Sequence, residues 1–166
     1  MMATYDHTTG QGTAGHRSRM RSMYVLEKTV DIAAVCSAAS ISALTADDII
    51  QVLDIPAEVY LLHAGVEVIT AFNGTSPVVD VDFAAGDDFV DGQSVASTGY
   101  KAAGSNGHVD YTAVATFANR ITATDTLDVK VGAGANDVST GKIRVYAILI
   151  DISGVDETDS LQAQPL

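Results

Sequence analysis

Three aspartates in five residues, Asp87, Asp88 and Asp91, stand in the stretch GDDFVDG and are closed by Gly92. Such residues could form a calcium loop, a catalytic carboxylate cluster or a sharp corner between strands. Calcium takes about six to eight oxygens, several from carboxylates, with a glycine where the loop turns tightly. The spacing here is not the D-x-D-x-D-G of an EF-hand loop, and no glutamate closes it. Asp80 and Asp82 lie close by, but the alternation in VVDVDF accounts for them as the wet face of a strand. The corner fits best. The chain leaves a strand at Phe83, Asp87 or Asp88 caps backbone N–H groups, Phe89 and Val90 turn inward, and Asp91-Gly92 ends the turn. Calcium held by Asp87, Asp88 and Asp91 is the alternative, and no cofactor is otherwise expected.

Other residue types that do chemistry are present without the spacing that chemistry needs. His7 and His16 stand in a polar N-terminal stretch, His63 lies in an apolar run, and His108 follows a Gly-Ser-Asn-Gly sequence. A Ser-His-Asp triad is recognised by geometry, and no G-x-S-x-G elbow places a nucleophile. His63 reads as a hydrogen-bonded or interface histidine. Cys36 is the single cysteine, so no internal disulfide is possible, and it reads as a small buried residue. The Cys/His pairs of a zinc site are missing, and GAGAND (residues 132–137) lacks the third glycine of a dinucleotide loop. It reads as a hairpin connection. No enzyme is expected.

Charge divides the chain. Nine Lys and Arg against 21 Asp and Glu give −12, which argues against nucleic-acid binding by the folded body, because phosphate backbones need a cationic face. Residues 1–21 nevertheless carry Arg17, Arg19 and Arg21 against Asp6 alone, +2, while the remainder is −14. Three arginines on alternate residues of an extended chain project to one side. They could pair fork-like with a row of carboxylates on another subunit, for which an acidic body supplies the target. The bland reading is a solvated tail, and RNA contact is a minor third.

The elements that must position these residues follow a period of two. Val79, Val81 and Phe83 alternate with aspartates, and Leu127, Val129 and Val131 with Asp128 and Lys130. In KIRVYAILI, Ile143, Val145, Ala147 and Leu149 point inward. The opposite face changes from Lys142 and Arg144 to Tyr146, Ile148 and Ile150, so it is expected to be covered on both sides towards its end. VDYTAVATF alternates as well, through Val109, Tyr111, Ala113, Ala115 and Phe117. DIIQVLDI and EVYLLHAGVEVITAF flank Pro56, with a bulge or bend expected at Gly65, and Met23 to Val30 gives one more strand. DIAAVCSAASISALTADD is the one competing helix, but its apolar residues suggest no clear stripe and it is read as irregular or extended. Seven or eight strands with Gly, Pro, Asn and Asp between them predict an all-β, jelly-roll-like β-sandwich over residues 22–152. An extended, flexible basic arm (1–21) precedes it and a loose acidic tail (153–166) follows. No apolar run approaches the about 20 residues that cross a bilayer, and the polar N-terminus has no signal-peptide core, so neither membrane insertion nor secretion is expected.

The order of four segments carries a resemblance: an isoleucine-proline step in VLDIPAEVYLLHAGVEVIT, then GDDFVDG, then TDTLDV, then TGKIRV. Over about residues 47–151 the chain resembles the small β-sandwich cement or decoration proteins of tailed bacteriophages, cyanophage-like viruses in particular. The resemblance implies a homotrimer on the outer surface of an icosahedral head, made in the host cytoplasm. It would bridge neighbouring major capsid protein subunits without catalytic residues. Arg17, Arg19 and Arg21 lie outside the matched stretch, and their docking on a neighbour is read from their spacing and charge alone; Tyr146, Ile148 and Ile150 would suit packing between subunits. The competing reading on the same fold is a receptor- or carbohydrate-binding head of a fibre or appendage, with Tyr100 or Tyr111 as stacking platforms. A hydrolase using His63 or His108 is a third.

Overall fold

The computed structural model describes residues 4–6, 12–14, 23–83, 89–101, 119–132 and 136–152. Within them the chain forms β1 (Thr4–Asp6), β2 (Gly12–Ala14), β3 (Met23–Asp31), α1 (Ile32–Ala39), β4 (Ile49–Ile55), β5 (Val59–Thr70) and β6 (Val78–Phe83). Then come β7 (Val90–Ser94), β8 (Gly99–Lys101), β9 (Asn119–Ile121), β10 (Asp125–Val131) and β11 (Lys142–Asp151). The strands make two sheets. The smaller runs β1-β4-β10-β6-β7, and the larger runs β2-β3-β11-β5-β8, with β9 also on β5. All pairs are antiparallel except β1 on β4.

The core lies between the inner faces, as the alternation dictates. Leu26, Val30, Val66, Ala147 and Leu149 come from the larger sheet; Ile50, Leu53, Val81, Leu127 and Val129 come from the smaller; all are buried. This is the all-β sandwich the sequence predicts. Two stretches read as a flexible arm, residues 4–6 and 12–14, are edge strands, one on each sheet.

Four local expectations are corrected. Residues 32–39 are a helix, not irregular chain. The Asp31 side chain caps it by accepting from the N–H groups of Ala33 and Ala34, at 3.1 and 3.4 Å. Ser40, at φ 56°, ends it in the left-handed region. Its buried residues Ile32, Val35 and Cys36 are a short i, i+3, i+4 stripe that close one end of the core.

The ladder register slips at Leu62 and Ile69 of β5, leaving Gly65 within regular pairing opposite Tyr146. GAGAND is no hairpin, because β10 and β11, on either side of it in sequence, belong to different sheets. Asp91-Gly92 does not end a turn but lies inside β7, at a register shift against β6 and with Gly92 at φ 53°. Phe89 and Val90 are buried, as read.

Candidate functional site: the outer face of the larger sheet

Central strand β11 shows Lys142, Arg144, Tyr146, Ile148 and Ile150 to the side away from the core, each half-buried. Register places Asp31, Thr29, Glu27, Val25 and Met23 of β3 beside them in that order. On the other flank β5 sets Thr70, Glu67, Gly65, His63 and Tyr60. The slip at Leu62 keeps this register: without it, every residue of β5 on one side of the slip would turn to the opposite face. The face therefore has two ends of different chemistry.

One end is charged, with each cation paired to carboxylates. Lys142 Nζ lies 3.1 Å from Asp31, and the Arg144 guanidinium bonds Glu67 and lies 3.9 Å from Glu27. These partners hold the Asp31 carboxyl below its ordinary range, chiefly through the Lys142 hydrogen bond, and Glu67 raises Arg144 further. The other end is apolar. Ile148, Ile150 and Val25 are half-buried, while Met23 is 65% exposed and Tyr60 36%. Arg120 of β9 lies opposite Tyr60 in the ladder and bonds Glu58 at 3.0 Å.

His63 and Tyr146 join the ends. The imidazole Nε2 and the phenol oxygen are 3.2 Å apart, with the rings tilted 47°. Tyr146 can lie there because its cross-strand neighbour is glycine. A Cβ at position 65 would stand 2.7 Å from the phenol oxygen, too close for any real contact. Burial lowers the His63 pKa below its ordinary value, favouring the neutral ring. Burial also raises Tyr146, with Tyr100 and Glu67 adding to it.

The outer side of the smaller sheet is different. Asp80, Asp82 and Asp128 are buried there, where the sequence reading made Asp80 and Asp82 a wet face. Their strands do turn them away from the core, but the side chains are covered: Asp80 accepts from the Gly92 N–H at 2.7 Å and lies 3.9 Å from Lys130 Nζ. Asp128 pairs directly opposite Asp82, and one of its oxygens is buried without a hydrogen-bond partner. Burial raises its pKa, opposed by a hydrogen bond from Thr126 and reinforced by Asp125. Among the described residues no three His, Cys, Asp or Glu are grouped to hold a metal ion.

Of the residues singled out from sequence, Tyr146, Ile148 and Ile150 come together on one face, beside His63. Arg17, Arg19, Arg21, Asp87, Asp88, His7, His16, His108 and Tyr111 lie outside the described residues. Asp91 is exposed on β7, and Tyr100 is exposed on β8 next to Glu67. Cys36 is buried in α1, its thiol raised by burial and 3.9 Å from the Val138 carbonyl. Sequence reasoning did not find Met23, Val25 and Tyr60 as neighbours of Ile150. They stand on two other strands, and only the register joins them.

The class these observations define is an all-β, two-sheet sandwich with one outer face that is half ion-paired and half apolar. No family model matches the sequence, and no curated protein matches it. The fold does match solved structures. A chain of the capsid of Ralstonia phage GP4 aligns at a TM-score of 0.61 and 14% identity, over 90% of this chain and 98% of that one. A chain of the cyanophage Pam1 capsid asymmetric unit aligns at 0.57 and 15%, over 86% and 94%. At these identities the likeness is one of fold.

Proposed function

We propose that this chain is a structural virion protein that binds the outside of an icosahedral phage head as a homotrimer and cements neighbouring major capsid protein subunits. The observation that carries the reading is the extent of the fold match. It takes in 98% of a chain from one phage capsid and 94% of a chain from another, so those chains are themselves small single sandwiches. Small subunits that add to a shell work by multiplicity: symmetry repeats a modest contact many times, and the sum is effectively permanent. The half-apolar outer face of the larger sheet supports the same reading, with Tyr146, Ile148 and Ile150 as subunit packing residues. Arg17, Arg19 and Arg21 extend the contact to carboxylates of a neighbouring subunit. The protein acts on the virion surface, without a cofactor and without catalysis.

The test is cosedimentation of the purified protein with phage heads that lack it, followed by heating to the point of DNA release. Saturable binding in a fixed ratio to the major capsid protein and a higher release temperature are expected. Replacing Arg17, Arg19 and Arg21 together by Glu is expected to weaken binding at least tenfold. Binding that leaves release temperature unchanged, or no binding, overturns the reading. Deleting residues 1–21 is the poorer test, since it also removes β1 and β2 from both sheets. The exposed ring of Tyr100 favours a second reading, a glycan-binding head. Glycan binding lost in Tyr100→Ala would establish it in place of the first.

A further inference from the structure

The two outer faces of the sandwich differ in charge. On and beside the smaller sheet stand Asp47, Asp54, Asp80, Asp82 and Asp128 with Lys130. On the larger sheet Lys142, Arg144 and Arg120 are each bonded to Asp31, Glu67 or Glu58. In a chain of net charge −12, copies repel where their acidic surfaces approach. The outer face of the larger sheet, with Asp31, Glu27, Glu67 and Glu58 against Lys142, Arg144 and Arg120 (3 − 4 = −1), is less acidic than that of the smaller sheet (1 − 5 = −4), so copies meet there with less repulsion. Its apolar end, Met23, Tyr60 and Ile150, stands at the ends of three strands. That places the contact at the rim of the sheet, where several copies can converge about an axis.

We propose that a second copy of this chain covers the apolar end of this face, and that the contact forms only with His63 neutral. The proposal rests on the reading of the chain as a self-associating coat subunit, and names the surface and its control. His63 pairs with Ile148 in the ladder, next on this face to the Tyr60–Ile150 pair at the rim, and is held to Tyr146. The charged or titratable groups on its face are Tyr146 and Arg144 from β11, Glu27 from β3, Tyr60 and Glu67 from β5, Tyr100 from β8, and Arg120 from β9. Burial is the cause that shifts it, and no carboxylate offsets that shift. A second copy removes more water from the ring, so a proton there opposes association. The sign follows. Association is complete above the His63 pKa of the free chain and is lost as pH falls through it, by about tenfold per pH unit for each histidine that must shed a proton.

The experiment is solution mass by light scattering after size exclusion, at pH 7.5 and pH 5, with head binding measured on the same samples. Wild type is expected to be oligomeric at the higher pH and to dissociate at the lower. His63→Gln keeps a hydrogen-bonding group near Tyr146 but cannot charge, and is expected to stay oligomeric at both. Met23→Glu, at an exposed position, is expected to be a folded monomer at both. Wild-type mass that ignores pH overturns the histidine control, and an oligomeric Met23→Glu overturns the surface. A wild-type monomer that still saturates heads overturns this proposal and leaves the virion reading standing. An oligomer that fails to bind heads does the reverse.

Discussion

At Asp128 the register of the smaller sheet works against the charge of the side chain. Its strand sets it opposite Asp82, in a place where one of its oxygens meets no donor. A buried carboxylate without its hydrogen bonds favours the protonated form, and burial raises its pKa accordingly. A carboxyl whose folded pKa lies above the unfolded one destabilises the fold at neutral pH. That penalty is relieved as pH falls through the folded value and is gone below the unfolded value. Asp128→Asn is therefore expected to raise the melting temperature at pH 7 by about 2 to 4 °C, the change that about 1 kcal/mol makes in a chain of this size. The gain should vanish near pH 3.5; equal gains at both pH values would mean that charge is not the cause. Asp31 has the opposite sign. The Lys142 hydrogen bond lowers its pKa, so its contribution is present above the unfolded value and is lost as pH falls through the folded one. Gly65 makes a third case. In Gly65→Ala the added methyl would push Tyr146 off the strand and expose His63. The imidazole pKa is then expected to rise towards its ordinary value, which an NMR titration of the ring would read.

The elements show what alternation can and cannot say. Strands β6, β10 and β11 fall where period-two runs predict them, because a strand with one face in the core tends to alternate, and β3, β4 and β5 fall on the β-rich runs read there. Helix α1 escaped the same reading because eight residues give barely two turns, and three apolar residues in them make a weak stripe. The signal was at its ends: an aspartate before the run and a residue able to take positive φ after it. Asp31→Ala is expected to cost about 1 kcal/mol, the worth of a cap. Thermal melts should show a loss of about 2 to 4 °C, and Asp31→Asn should recover most of it at low pH, where the ion pair with Lys142 no longer counts. The slips at Leu62 and Ile69 could not be read either. A bulge adds one residue to an apolar run and leaves composition unchanged; only pairing against β11 reveals it.

For the whole molecule, sequence carried the fold class and half of the candidate face, and charge carried part of the rest. Tyr146, Ile148 and Ile150 were legible because they interrupt the polar side of one strand; Met23, Val25 and Tyr60 were not, because the face is assembled from strands far apart in sequence. Net charge says how such a face can be used. Copies carrying −12 repel over a range set by ionic strength, about 10 Å at 0.1 M salt. An apolar, locally neutral contact gains nothing from low salt, so screening the repulsion should strengthen it. Contacts made by Arg17, Arg19 and Arg21 to carboxylates of a neighbour would weaken under the same change. Self-association measured by sedimentation from about 0.05 to 0.5 M sodium chloride, across which the screening length falls about threefold, therefore separates the two. Association that rises with salt, and that Met23→Glu removes, assigns the copy-to-copy contact to the larger sheet. Association that falls with salt and disappears when the three arginines become glutamates assigns it to the arm instead, and would leave the apolar rim free to meet the shell.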